Sequence, residues 1–268
     1  MTADKFAPKP GKKIKLKDYD PDFHGDKEKE STIAETIDLQ KELCDLQEKL
    51  YAQASQSLLI VLQAMDTGGK DGAIKKVFEG INPQGVRVTA FKAPTLNELA
   101  QDFLWRVHPH VPPKGYIGIF NRSHYEDVLV VRVNNLVPKK VLEKRYDHIN
   151  NFEQLLADNG TRILKFYLHI SKDEQKERLQ SRLDNPDKNW KFSTGDLPVR
   201  QQWDAYMDAY EVALTRCNTD DAPWYIVPAN RKWYRDWFVT RTIVETLEAM
   251  KPEFPPPEEG LDKVVIPD

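Results

Sequence analysis

Residues 58–72, reading LLIVLQAMDTGGKDG, constrain the fold of this chain more than any other segment. The segment opens on an unbroken apolar run, Leu58 to Leu62, the pattern of a strand buried on both faces. It then passes into the turn Gly68-Gly69 and reaches Lys70 at the head of a predicted helix. Strand, glycine turn and helix N-terminus together make a phosphate cradle. Backbone N–H groups point at the anion, and the lysine supplies a mobile charge. The wording departs from the Gly-x4-Gly-Lys-Ser/Thr loop. Ala64 stands at its head, Asp71 follows the lysine, and Asp66 lies inside it. The departure predicts phosphoryl transfer with a magnesium ion held differently from that of an ordinary ATPase.

The rest of the chain alternates strand and helix patterns. Strands are predicted over 58–62, 86–91, 116–120, 163–170 and 224–227. Helices are predicted over 31–57, 70–79, 96–107, 146–158, 172–183, 199–217 and 233–250. Leu39, Leu43, Leu46 and Leu50 mark one face of the first helix. Alternation at this spacing predicts an α/β fold with a parallel five-stranded sheet, covered on both faces, whose ligand lies at the C-terminal strand ends. Three parts are expected: an N-terminal arm and helix over 1–57, a kinase domain over 58–250 with a lid at 178–200, and a proline-rich tail over 251–268. The first 30 residues read as an extended arm outside the core.

Composition narrows the function. A chain of 268 residues, 40% of them hydrophobic, supports a real core. A formal net charge of −3 does not favour nucleic-acid binding, so no nucleic-acid partner is expected. Only Cys44 and Cys217 are present, which points to a reducing compartment. The basic start lacks an apolar h-region and no run is long enough to span a bilayer, so the chain reads as cytoplasmic, with no membrane partner.

Three groups carry the predicted chemistry. In the first, Gly68 and Gly69 let backbone approach phosphate, Lys70 neutralises the transferred group, and Asp66 holds a metal directly or through water. In the second, which follows the third strand, Arg122 can fork onto phosphate oxygens. Glu126 and Asp127 are candidates for metal or for orienting Arg122, and are also read as helix-terminal charges. The third group is Arg178, Arg182, Asn185, Pro186, Lys188, Trp190, Lys191, Phe192, Asp196 and Arg200. These residues bracket a helix break and could close over an anionic substrate, excluding water. Lys75 and Lys76 extend a basic path beyond Lys70, or belong to a solvated helix face. His108 and His110 have no convincing metal partner.

Three stretches together, Asp66-Thr67-Gly68-Gly69-Lys70-Asp71-Gly72, Asn121-Arg122-Ser123-His124-Tyr125 and Asp187-Lys188-Asn189-Trp190-Lys191-Phe192-Ser193, resemble the polyphosphate kinase 2 family. The resemblance runs from about residue 30 to 250. It implies a three-layer P-loop kinase fold, thymidylate-kinase-like, with a helical lid. It implies reversible phosphate transfer between inorganic polyphosphate and adenine nucleotides, AMP to ADP and ADP to ATP, with guanine nucleotides as a further acceptor class. It also implies Mg2+, or Mn2+ in its place, and a homo-oligomer. By resemblance Asp66, Lys70, Arg122 and Arg182 are catalytic, and Asp66 and Asp127 hold metal. Thr67, Gly68, Gly69, Asp71, Gly72, Lys75, Lys76, Asn121, Glu126, Arg178, Lys188, Lys191 and Arg200 bind substrate. Some relatives have Asp where this chain has Asn121, which removes one carboxylate. The wording His124-Tyr125-Glu126-Asp127 resembles the group that phosphorylates both AMP and ADP.

The competing expectations are an ADP-specific polyphosphate kinase, an ATP-dependent nucleotide kinase and a non-enzymatic polyanion binder. The missing hydroxyl after Lys70 counts against the ATP-dependent kinase. Asp66 counts against the binder, because it repels an anion unless a metal is present.

Overall fold

The computed structural model describes residues 3–267. In chain order the helices and strands are α1 (Ala3–Phe6), α2 (Lys29–Gln53), β1 (Ser57–Gln63), α3 (Lys70–Val77), β2 (Val86–Ala90), α4 (Leu96–Leu99), β3 (Ile117–Asn121) and α5 (Val130–Val133). They continue with α6 (Lys139–Asp158), β4 (Thr161–His169), α7 (Lys172–Asp184), α8 (Asp196–Gln201), α9 (Trp203–Arg216), β5 (Trp224–Pro228) and α10 (Lys232–Met250). The five strands form one parallel sheet in the order β2-β3-β1-β4-β5. Every residue of β1 is buried, as its apolar run predicts for a strand covered on both faces. In register, Leu62 lies opposite Asn121 of β3 and Phe166 of β4.

The leucine stripe of α2 faces inward: Leu43 and Leu50 are buried and Leu39 and Leu46 partly so. Ile33 and Ile37, which fall off the stripe, are exposed. The helix α10 packs against α2 and α3, and α6 packs against β4.

Several expectations about elements change, besides shifts in the ends of α2 and α6. The predicted helix over 96–107 is only the turn α4, because the Asp102 carboxylate accepts from the Leu104 and Trp105 N–H groups and bends the chain. The predicted helix over 199–217 breaks at Gln202, between α8 and α9. The start of the chain is not wholly an arm outside the core. Phe6 is fully buried against Phe23 and Phe238, and the Leu16 N–H donates to Glu211 Oε1 at 2.9 Å. Its few apolar residues are widely spaced among lysines, which hides them from a periodicity argument.

The three-layer P-loop, thymidylate-kinase-like expectation also needs correction. The α/β class and the five parallel strands stand, but the turn between β1 and α3 is not a Gly-x4-Gly-Lys-Ser/Thr loop. Ala64 heads it, Thr67 takes the left-handed conformation at φ +61°, and exposed Asp71 stands where a metal-binding hydroxyl would be. Asp71 Oδ1 accepts from Asn121 Nδ2 at 2.6 Å, tying the turn to β3 in place of that hydroxyl. Among the described residues, no helix is long and apolar enough to cross a membrane.

Candidate active site

The parallel pairing of β1 and β3 opens their following turns side by side at one sheet edge, where ligands of such sheets bind. The turn after β1 needs its glycines. A Cβ at Gly68 would lie 2.5 Å from Ala64 Cβ, and one at Gly69 (φ +97°) would lie 2.2 Å from Arg235 Nη1. The turn after β3 begins on Arg122 at φ +60°, whose N–H donates to Leu62 O at 3.1 Å. This link sets the Arg122 side chain over the first turn, and its Nη2 donates to Asp66 Oδ1 at 2.7 Å.

Lys70 is buried beneath this pair and donates to Ala64 O at 2.9 Å. Burial, with the Arg122 charge next in importance, pushes its pKa down to about 8 against the pull of Asp66, Glu126 and Asp71. An incoming phosphate would reverse that shift. Burial raises the Glu126 carboxyl above its ordinary value, against Arg122 and Lys70, which lower it.

Asp127 pairs with two arginines beside the apolar side of the site. Its Oδ1 accepts from Arg145 Nη1 at 3.1 Å and its Oδ2 lies 3.7 Å from Arg106 Nη2. Burial still raises its pKa. Asp127 is thus charge-paired within the protein through Oδ1, while its Oδ2 has no hydrogen-bond partner. Asp66 keeps a fit, because hard cations take one or two carboxylates and complete their shell with substrate phosphates and water. Among the described residues no cluster of three or more His, Cys, Asp or Glu stands ready for a metal.

Two adjoining cavities meet at the Asp66–Arg122 pair. One, of about 520 Å³, is lined by the turn from Asp66 to Gly72 together with Asn121, Arg122, Arg182, Trp190 and Lys191. The other, of about 480 Å³, is largely apolar. Its walls include Met65, Phe91, Leu99, Val130, Tyr206 and Tyr210, with Glu126 and Asp127 on its floor. Phe91 and Lys92 also border both.

The helix break of the third group closes one side of the polar cavity. Arg182 donates to Lys191 O at 2.8 Å and lies 3.6 Å from Asp196, and Lys191 sits 4.9 Å over the Trp190 ring. Trp190 is largely exposed at the rim of that cavity. Lys188 is turned toward Ser181 Oγ at 3.4 Å. Lys75 is exposed, and Lys76 pairs with Glu79 at 2.6 Å. The lining of the polar cavity includes neither lysine.

Arg178 and Arg200 are engaged within the protein. Arg178 Nη1 donates to Thr67 O at 3.1 Å and its Nη2 to Ala229 O at 2.6 Å. Arg200 Nη1 donates to Lys172 O and to Gln175 Oε1. Sequence reasoning passed over Gln175 and Arg235, which donate to Asp66 O and Gly69 O at 3.0 and 3.2 Å. It also passed over Lys165 and Glu153, a fully buried pair at 2.6 Å beneath the turn after β3. A lysine inside the apolar run Ile163-Leu164-Lys165-Phe166-Tyr167-Leu168 was the available signal, because a buried charge requires a partner.

The sequence pattern described as Polyphosphate kinase 2 matches residues 26–255. An AMP/ADP-polyphosphate phosphotransferase of Meiothermus ruber is 55% identical over 98% of this chain and 99% of its own length. An ADP-polyphosphate phosphotransferase of Rhodopseudomonas palustris is 50% identical over 80% of this chain and 78% of its own. The crystal structure of polyphosphate kinase 2 from Arthrobacter aurescens TC1 superposes with a TM-score of 0.93 at 43% identity, covering 97% of this chain and 94% of that one. A putative polyphosphate kinase 2 from Pseudomonas aeruginosa superposes with a TM-score of 0.81 at 34% identity, over 88% of this chain and 50% of that one. The architecture is therefore the one those structures share and not a thymidylate-kinase-like fold.

Proposed function

Because this chain belongs to the polyphosphate kinase 2 family, and is a phosphotransferase as its members are, we propose that it passes phosphate between inorganic polyphosphate and both AMP and ADP, reversibly. The observation that carries the reading is the meeting of a basic, glycine-lined cavity and an apolar one at the Asp66–Arg122 pair. The polar cavity suits a phosphate chain, and the apolar one suits a nucleoside. The pair itself lies where the reacting phosphates would meet. The 55% identity to a protein named for both AMP and ADP supports the two acceptors.

In this mechanism a terminal phosphate oxygen of the nucleotide attacks the end phosphorus of polyphosphate in line. The P–O bond to the next phosphate breaks, and the shortened chain leaves as an oxyanion. The attacking oxygen is already ionised, so no strong general base is needed. Lys70 and Arg122 stabilise the charge on the transferred group, with turn N–H groups behind it. Arg122 must release Asp66 to do so, which leaves the Asp66 carboxylate beside the phosphates. Magnesium, when bound, would supply further charge neutralisation there, with Asp66 as its protein ligand. Arg182 and Lys191, at the helix break, would close over the chain as a lid.

The experiment is nucleotide product formation from AMP and, separately, ADP with magnesium and long-chain polyphosphate and no ATP. Product from both supports the proposal. Product from ADP alone rejects the AMP activity, and product from neither rejects the polyphosphate reading.

A further inference from the structure

The turn after β1 has carbonyl groups as well as N–H groups, and a phosphate site works only if the carbonyls point away from the anion. Three of them accept from side chains of α7 and α10: Asp66 O from Gln175, Thr67 O from Arg178 and Gly69 O from Arg235. Two of these donors are charged and the third is neutral. Gln175 is fully buried, in a helix whose other residues are mostly charged or polar. Burying an amide is costly unless both its ends are satisfied. Here both are. Its Nε2 donates to Asp66 O at 3.0 Å, and its Oε1 accepts from Arg200 Nη1 at 3.0 Å. Asp66 O can only accept and Arg200 can only donate, so the amide has one orientation. Arg200 lies on α8, the short helix that follows the break beside the polar cavity, and also donates to Lys172 O at 2.6 Å.

We propose that Gln175 is a positioning residue for phosphoryl transfer: it fixes the Asp66 backbone, and through Arg200 it ties that backbone to α8. Movement of α8, whose Asp196 and Val199 also line the two cavities, would then change the register of Asp66 against Arg122. The kinetic part of this inference rests on the phosphotransferase reading, whereas its backbone part does not.

The decisive variant is Gln175→Glu. Glutamate still accepts from Arg200, and as an ion pair does so more strongly, but its carboxylate has no proton to give Asp66 O and repels it. The expected result is a melting temperature only a few degrees below wild type, the ion pair with Arg200 offsetting much of the lost bond to Asp66 O. The rate kcat should fall on the order of 10- to 100-fold, the cost of a small misplacement, with little change in the KM for nucleotide. Hydrogen exchange of the full chain, which needs no turnover, should be faster at the amides of 66–70. If Gln175→Glu does not fold, Gln175→Leu carries the same two readouts. Arg200→Ala should also lower kcat, and the double variant with Gln175→Leu should be no slower than Gln175→Leu alone, because both act through one link.

Wild-type kcat and exchange in Gln175→Glu would overturn the proposal. So would a loss of rate that only follows a loss of melting temperature. Losses that multiply in the double variant would give Arg200 a substrate contact of its own and overturn the relay. If wild type transfers no phosphate from polyphosphate, the functional reading fails, and the exchange measurement still decides the positioning claim.

Discussion

Replacing Glu153 by Gln should be among the most damaging single changes outside the reaction site. Glu153 and Lys165 are both about fully buried, and their charges meet at 2.6 Å. The carboxylate accepts also from Tyr125 Oη at 2.9 Å and His124 Nε2 at 3.2 Å, both in the turn that carries Arg122 and Glu126. An amide in that place has one acceptor oxygen for three donors and no charge for Lys165. The lysine keeps only Tyr125 Oη and Cys217 O as partners. Breaking a buried pair by neutralising one member costs about 3–5 kcal/mol. Since domains are stable by roughly 5–15 kcal/mol, Glu153→Gln should remove a large part of the total. Urea unfolding at pH 7 measures it, as a lower midpoint at unchanged slope. The pH dependence has a definite sign. Burial alone would raise the Glu153 pKa, but Lys165 and then His124 outweigh it and hold the carboxyl below its ordinary value. The contribution is therefore full above the unfolded pKa and lost as pH falls through the folded one, so wild type and variant should converge in acid. The double change Glu153→Leu with Lys165→Met should recover much of the loss, because an apolar pair of similar volume leaves no orphaned charge. A cost of Glu153→Gln below about 1 kcal/mol, the level of an exposed pair, would refute the reasoning.

Lys70→Met should abolish transfer yet raise stability by up to about 3 kcal/mol near neutral pH, because the folded state depresses the pKa of that lysine to about 8. The unfolded chain binds the proton between about 8 and 10.5, so wild-type stability should climb through that window while the variant's does not, in denaturant titrations from pH 7 to 10. Arg122→Ala should lower kcat on the order of 100- to 1,000-fold in a steady-state assay, the effect of removing a donor that meets developing charge. Gly69→Ala should cost about 1–2 kcal/mol for the left-handed backbone alone, with further loss as the Cβ displaces Arg235, seen as a lower melting temperature and weaker polyphosphate binding. Binding of long-chain polyphosphate should weaken as ionic strength rises, as isothermal titration at two salt concentrations would show.

The elements legible in the sequence are those whose burial is total or periodic. Leu58 to Leu62 reads as a central strand because every side chain is apolar, and Leu39 to Leu50 reads as a helix because its buried face repeats. The first turns of α6 were missed because their buried face is marked by Leu142 alone, among Lys139, Lys140, Glu143, Lys144 and Arg145. Asp102 caps a separate turn after α4 by side-chain hydrogen bonds, and such bonds depend on a geometry that residue order does not carry. At the site, the sequence already suggested that Asp66, Lys70 and Arg122 would lie together, because they sit at glycine-rich and strand-end turns of neighbouring strands, and they do. The pairing of Asp127 with Arg106 and Arg145 was not legible, because an acid near the site looks the same in sequence whatever it faces. Gln175 left no signal, since a glutamine in a charged helix reads as solvated until its two partners are known.

Two cavities serve one transfer across the Asp66–Arg122 pair. The most direct test is a crystal structure of the protein with AMP and a short polyphosphate. The account predicts the adenine in the apolar cavity beside Phe91 and Tyr210, the phosphate chain along Gly68–Lys70, and the two ends meeting at Arg122. A nucleotide lying along the glycine turn, with the apolar cavity empty, would contradict it.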